Sequence, residues 1–228
     1  MIKAVIFDVD NTLYSFTGAH EAAFQALSAY AGEKLGLSRD AFEDLHKKTE
    51  NELKEYMGSV AALHNRCIRY QNMLESRGLP LYPHVLEMND RYWDALLEAA
   101  VPFAGVPETV CGLKKKGIRI GIGTDMTARL QFKKLEVLGL LPHIDFLVSS
   151  EETGAEKPDP AFFERCVHKA KAPASECLFV GDNLRKDVLG AMDAGLKAVW
   201  YCPEGHPAPE KVLQITDMLK LLQAVSVL

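Results

Sequence analysis

MIKAVIFDVDNTLY, residues 1–14, opens the chain with a short run of Val, Ile and Phe that ends in two aspartates, Asp8 and Asp10. The apolar part is too short for a secretory leader. Its β-branched content predicts a strand over 3–9, buried on both faces in a parallel sheet, with its carboxyl end opening onto polar groups.

Such a strand needs parallel neighbours, and the sequence supplies them after Pro102 and Gly105. From there the pattern alternates: a helix to Lys116, a strand over 118–124, a helix to about Leu138 and a strand over 145–149. A helix over 160–171, a strand over 177–182, a helix to Ala194, a strand over 197–201 and a last helix follow. This alternation specifies an α/β fold, a doubly wound parallel sheet with helices on both faces, in which ligands bind at the carboxyl ends of the strands.

Residues 17–100 read differently. Phe24, Leu27, Ala31 and Leu35 recur at helical spacing, as do Phe42, Leu45, Leu53, Tyr56 and Met57, and two further helices are expected over 60–74 and 85–97. Gly36, Gly58 and Gly78, the last followed by Pro80 and Pro83, punctuate them. The expectation is an all-helical insert over 17–100 that interrupts one α/β domain made of 1–16 and 101–228.

Composition narrows the class. Of 228 residues, 48% are hydrophobic and 25% charged, the balance of a globular protein. The net charge is −5 and no long Lys/Arg run occurs, which argues against a nucleic-acid partner. No apolar stretch reaches the ~18–20 residues that span a bilayer. The five cysteines are odd in number and unclustered, read as reduced thiols in a cytoplasmic protein.

Chemistry concentrates at the strand ends. Asp8 and Asp10 follow the first strand; an Asp-x-Asp pair alone is commonly a turn or a cap, but directly after a buried strand it reads as functional. Thr124 ends the second strand, where its hydroxyl and the next N–H groups, Asp125 included, can hold phosphate oxygens, although such a Thr singly is more often a helix N-cap. Lys157 precedes Asp159, a helix cap, and Pro160, a first helical residue, an entry that aims the ammonium inward. Asp182, Asn183 and Asp187 follow the fourth strand; Asp187 reads equally well as a helix-start carboxylate. Gly121 and Gly123 fail the dinucleotide spacing, because residue 126 is Met and the pair lies inside a strand.

FDVDNTL at 7–13, GIGTD at 121–125, EKPDP at 156–160 and GDNLRKD at 181–187 together resemble, in order, the four motifs of the haloacid dehalogenase-like hydrolases. The resemblance implies that Asp8 is a nucleophile forming an aspartyl phosphate and that Asp10 is its general acid and then base. It implies that Thr124, Asp125, Lys157 and Asn183 bind phosphate, and that Asp8, the Asp10 carbonyl, Asp182 and Asp187 hold Mg²⁺. The insert then corresponds to a helical cap, and the substrate to a small phosphorylated metabolite of the sugar phosphate or nucleoside monophosphate class. Tyr14, Phe16, His64, Arg66 and Arg69 are candidate substrate contacts, although such side chains singly more often pack or face solvent. A phosphomutase shares all four motifs. A 2-haloacid dehalogenase is the weaker alternative, since a halide leaving group needs no acid at position 10. The expected assembly is a monomer or homodimer with no membrane partner.

Overall fold

A computed structural model describes residues 1–58 and 60–228, which separate into two compact units: 16–100, and 1–15 with 101–228.

The first is wholly helical: α1 (Phe16–Leu35), α2 (Arg39–Met57), α3 (Arg66–Glu75) and α4 (His84–Ala99). Ala19, Ala23, Leu27, Tyr30 and Ala31 form the buried stripe of α1, which packs along α4 and its Met88, Tyr92, Trp93 and Leu96. Small residues on α1 let the aromatics of α4 approach. Ser38 caps α2 by accepting the Ala41 N–H, and Gly58 ends it at φ 69°. The third helix begins later than the sequence pattern suggests. Asn65 accepts the Cys67 N–H and so starts α3 at Arg66, leaving Ala61–His64 as a separate 3₁₀ turn.

The second unit holds a six-stranded, all-parallel sheet of β1 (Ala4–Phe7), β2 (Arg119–Thr124), β3 (Phe146–Ser149), β4 (Cys177–Gly181), β5 (Lys197–Tyr201) and β6 (Leu213–Ile215). Their order is β3-β2-β1-β4-β5-β6. The helices α5 (Val106–Lys115), α6 (Ala128–Val137), α7 (Ser150–Thr153), α8 (Pro160–Ala170), α9 (Gly190–Asp193) and α10 (Leu221–Val227) complete the unit. Ala4 and Ile6 of β1 pack with Phe162, Phe163 and Cys166 of α8 and Ala191 of α9. Val5 and Phe7 alternate with them and are equally buried, so β1 is covered on both faces, as an unbroken apolar run requires. The strand order reverses at β1 and β4, the switch point at which open α/β sheets bind ligands.

Two segments depart from the sequence expectation. The chain after β5 contains β6 before its last helix. With three residues at a sheet edge it is too short to show periodicity. The helix expected up to Ala194 begins as a wide π turn, Leu184–Leu189, and becomes α9 only at Gly190. Asn183 caps the turn by accepting the Lys186 N–H, and the turn carries Asp187 inward.

Glycine in the middle of β2 has a packing cause. A Cβ at Gly123 would lie 2.7 Å from Phe179 Cε2 and 3.1 Å from Ile6 Cγ2, and one at Gly121 would run into the Phe146 ring. Gly123→Val therefore overpacks the site-bearing strand and should cost about 1–3 kcal/mol, read as a lowered urea midpoint with unchanged m-value.

Candidate active site

Asp8 is the first residue beyond β1, and its N–H donates to Val180 O at 2.9 Å, which anchors it to β4. It is buried, with Lys157 Nζ 2.6 Å from its Oδ1. The same ammonium lies 2.7 Å from Asp187 Oδ1 and donates to Gly123 O at 3.2 Å. The Asp159 cap expected ahead of α8 is present, accepting the Ala161 N–H, and Lys157 sits two residues before it.

Asp182 follows β4, and its carbonyl accepts the Trp200 Nε1–H at 2.8 Å. Asp187 is almost fully buried, and its Oδ2 accepts the Asn183 N–H at 2.9 Å. It occupies the space a side chain at 181 would need, which is why Gly181 is glycine. Carboxylate oxygens of Asp8, Asp182 and Asp187 lie within 4.8 Å of one another. Three carboxylates facing one ammonium make a set of hard oxygen donors in excess of their counter-charge, the chemistry that suits a divalent cation such as Mg²⁺.

The electrostatics follow from that imbalance. Burial raises the Asp8 carboxyl well above its ordinary value; Lys157 opposes this, while Asp187, Asp182 and Asp10 add to it. Burial and then Asp187 push Asp182 up to about 6. Burial works to lower the Lys157 ammonium, but Asp187 and Asp8 overcome it and hold Lys157 well above its usual range.

Asp10 belongs to a different sub-cluster. The strand has ended at Phe7, so Asp8 and Asp10 do not share a strand face, and the chain turns at Asn11 with φ 61°. Asp10 accepts from Tyr14 OH at 2.6 Å and from Lys134 Nζ at 2.7 and 2.8 Å. Burial raises its carboxyl, yet Lys134, Tyr14 and Gln131 together bring it below its ordinary value. Its carboxylate is thus committed to Lys134 and is not one of the three clustered carboxylates.

Thr124 accepts from Gln131 Nε2 at 2.9 Å. The Asp125 carboxylate accepts the Lys157 N–H at 3.0 Å and pairs with Lys186 at 2.9 Å. That leaves its backbone, not its carboxylate, to meet an anion. Asp8, Asp10, Asn11, Thr124, Asp125, Lys157, Asp182, Asn183, Lys186 and Asp187 line one cavity of about 200 Å³. The eight residues expected to act in catalysis, phosphate binding or metal binding are therefore together, while Tyr14, Phe16, His64, Arg66 and Arg69, expected as substrate contacts, do not line this cavity.

Four contributors were not singled out. Thr12 is fully buried, accepts the Asp182 N–H at 3.0 Å, and has its hydroxyl 3.4 Å from Asp8 Oδ2 and 3.3 Å from Asp182 Oδ1. Its place inside FDVDNTL was a usable signal. Lys134, Gln131 and Lys186 lie on helical stretches where Lys and Gln ordinarily face solvent, and nothing in the local pattern marks them.

Comparisons with known proteins place the chain among relatives. The sequence profile of the haloacid dehalogenase-like hydrolases matches residues 2–195. A ribulose-1,5-bisphosphate 5-phosphatase of Halopiger xanaduensis is 35% identical over 206 residues, covering 89% of this chain and 86% of that protein. The pyrimidine 5'-nucleotidase YjjG of Escherichia coli is 28% identical, with 91% and 89% covered. Among solved structures, a 2-haloacid dehalogenase from Pseudomonas syringae superposes with a TM-score of 0.80 at 25% identity, covering 100% of this chain and 99% of that one.

Proposed function

Because the chain belongs to the haloacid dehalogenase-like hydrolases, we propose that it is a Mg²⁺-dependent phosphatase acting on a small phosphate monoester of the sugar phosphate or nucleoside monophosphate class. In this reading 1–16 with 101–228 is the catalytic core and 17–100 its cap, and Asp8 is the nucleophile. The observation that carries it is Asp8 held by Lys157 beside the Asp182 and Asp187 carboxylates, at the carboxyl ends of β1 and β4. The names of the phosphatase and nucleotidase relatives support the substrate class.

Asp8 attacks phosphorus and takes up the phosphoryl group, dividing one difficult displacement into two easier ones. Lys157 binds a phosphoryl oxygen and stabilises the charge that develops there, while the Thr124 hydroxyl and the Asp125 N–H hold another oxygen at the end of β2. Asn183 braces the loop that carries Asp182. Asp8, Asp182, Asp187 and the Asp10 carbonyl would hold the cation. When bound, Mg²⁺ neutralises the clustered carboxylates and withdraws charge from the phosphoryl oxygens.

Asp10 protonates the leaving alkoxide and then activates water. Lys134 holds it as the carboxylate, the form that accepts a proton from water in the second half-reaction. In the first, Asp10 takes up the proton of a substrate bound as the phosphate monoanion and passes it to the leaving alkoxide. A dehalogenase reading has the shared fold in its favour. The acid at position 10 and the cluster around Asp182 have no use there.

The reading includes a cytoplasmic location and a monomer or homodimer. Five free cysteines support a reducing compartment. Among the described residues no helix is long and apolar enough to cross a membrane.

The test is phosphate release from an aryl phosphate and a panel of sugar phosphates and nucleoside monophosphates, with Mg²⁺ and with excess chelator. Metal-dependent release supports the proposal. No release from any of them, with isomer conversion or halide release instead, replaces it with the mutase or the dehalogenase.

A pH prediction follows from Asp182. A carboxyl raised to about 6 must lose its proton to act as a ligand, so apparent Mg²⁺ affinity should fall as pH drops through that value. The fall should be about tenfold per pH unit for each proton that competes with the metal, and Asp8, also raised, adds to it. Mg²⁺ titrations of activity from pH 5 to 8 measure this. A flat profile contradicts it.

A further inference from the structure

Two buried cations of the helical unit share a single carboxylate partner among the described residues. Arg66 and Arg69 lie three positions apart on α3, hence on one helix face, and are only 8% and 5% exposed. Arg66 stacks over the Tyr92 ring at 4.4 Å and donates from Nη2 to Tyr92 OH at 2.9 Å. Arg69 Nη2 lies 3.1 Å from Glu50 Oε1, and that carboxylate is about half exposed, at 47%. Among the described residues Glu50 is the only carboxylate paired with either guanidinium.

Arg66 Nε and Nη1 and Arg69 Nε are buried without a hydrogen-bond partner, as are Tyr70 OH and His46 Nε2. The two histidines nearby do not absorb the charge. Burial, with Arg69 and Arg66, pushes His46 down to about 3, and burial with Arg66 lowers His20, so both rings are neutral near pH 7. Arg69 is itself lowered to about 10 and stays a cation. Two desolvated, mutually repelling guanidinium groups with three donor nitrogens unsatisfied are costly to fold unless an anion completes them. His46 and Glu50, which adjoin the cluster, also help to wall a cavity of about 290 Å³.

We infer that Arg66 and Arg69 form an oxyanion site in the helical unit, taking a phosphoryl or carboxylate group. Guanidinium planes match both groups through paired N–H donors, and Tyr70 OH and His46 Nε2 add donors that suit an oxygen ligand. The group comes either from the second anionic end of the substrate, a source that rests on the phosphatase reading above, or from free inorganic phosphate.

Two measurements on the full chain test this, with Arg66→Gln, Arg69→Gln and, to keep charge while removing the fork, Arg66→Lys. Calorimetric titration with inorganic phosphate in chelator should show one fewer bound phosphate in each Gln variant than in the wild type. Circular dichroism should show all three variants folded. Steady-state kinetics then separate the sources. If the substrate supplies the group, KM for a sugar bisphosphate or a phosphorylated carboxylic acid rises about tenfold or more in the Gln variants. KM and kcat for an aryl phosphate, which has no second anion, stay within about twofold. If free phosphate supplies it, the titration changes and neither KM moves. An unchanged phosphate stoichiometry in the folded variants overturns the site. A wild type inactive on every phosphate monoester removes the phosphatase reading, while the titration still decides the site.

Discussion

Asp8→Asn should lose phosphatase turnover by roughly 10⁴-fold or more while remaining folded, because it removes the attacking oxygen rather than a binding contact. The loss should fall on kcat, with substrate affinity largely retained. Stability gives the prediction a second side. An acid whose folded-state value is raised adds stability below its unfolded value and loses it as pH rises toward the folded value. Asp8 is such an acid, held up chiefly by burial. Its ionised form therefore burdens the metal-free protein near pH 7, and Asn removes that burden while the Lys157–Asp187 pair at 2.7 Å persists. Melting temperature in chelator should equal or exceed the wild-type value near pH 7, and the difference should shrink as pH falls. A variant that is inactive and also unfolded would show that Asp8 is structural.

Lys157→Met should have the largest combined effect. The ammonium is 3% exposed and bridges Asp8 and Asp187, so its removal strands two buried carboxylates. Breaking such a buried pair by deleting one partner costs about 3–5 kcal/mol. Lys157 also supplies the cation on the transferring phosphoryl group, so kcat should fall by about 10²–10³-fold in whatever protein remains folded. Mg²⁺ should recover part of the stability, since it compensates the same carboxylates. Urea unfolding with and without Mg²⁺ checks this; a change under about 1 kcal/mol in chelator contradicts the assigned pairing.

The strands and the residues at their ends were legible because parallel strands buried on both faces leave unbroken apolar runs, as at Ala4–Phe7 and Cys177–Gly181. Asp8, Asp182 and Lys157 could be ranked because each stands at the end of such a run or beside a recognisable helix cap. What could not be read was the interior use of ordinary surface residues. Lys134 lies in QFKKLEV beside another Lys, and only the folded chain shows it fully buried against Asp10. Arg66 and Arg69 are similar: singly such side chains mostly face solvent, yet both are buried, and no local spacing reports that. The π turn at Leu184–Leu189 is hidden for another reason, since six residues are too few for an i→i+5 repeat to be told from i→i+4.

Asp10 shows how sequence spacing and side-chain direction part company. Two residues beyond Asp8 it would share a strand face, but the strand stops at Phe7 and the turn at Asn11 sends its carboxylate to Lys134 and Tyr14. Its acid–base assignment therefore depends on that turn rather than on the pleat.

The most direct test of the covalent route is the stereochemical course at phosphorus, measured with a substrate whose transferring phosphoryl group is made chiral by isotopic labelling. One in-line displacement inverts configuration, and two restore it. Attack by Asp8 followed by attack of water predicts overall retention. Overall inversion would mean that water attacks the substrate directly and that Asp8 never carries the phosphoryl group.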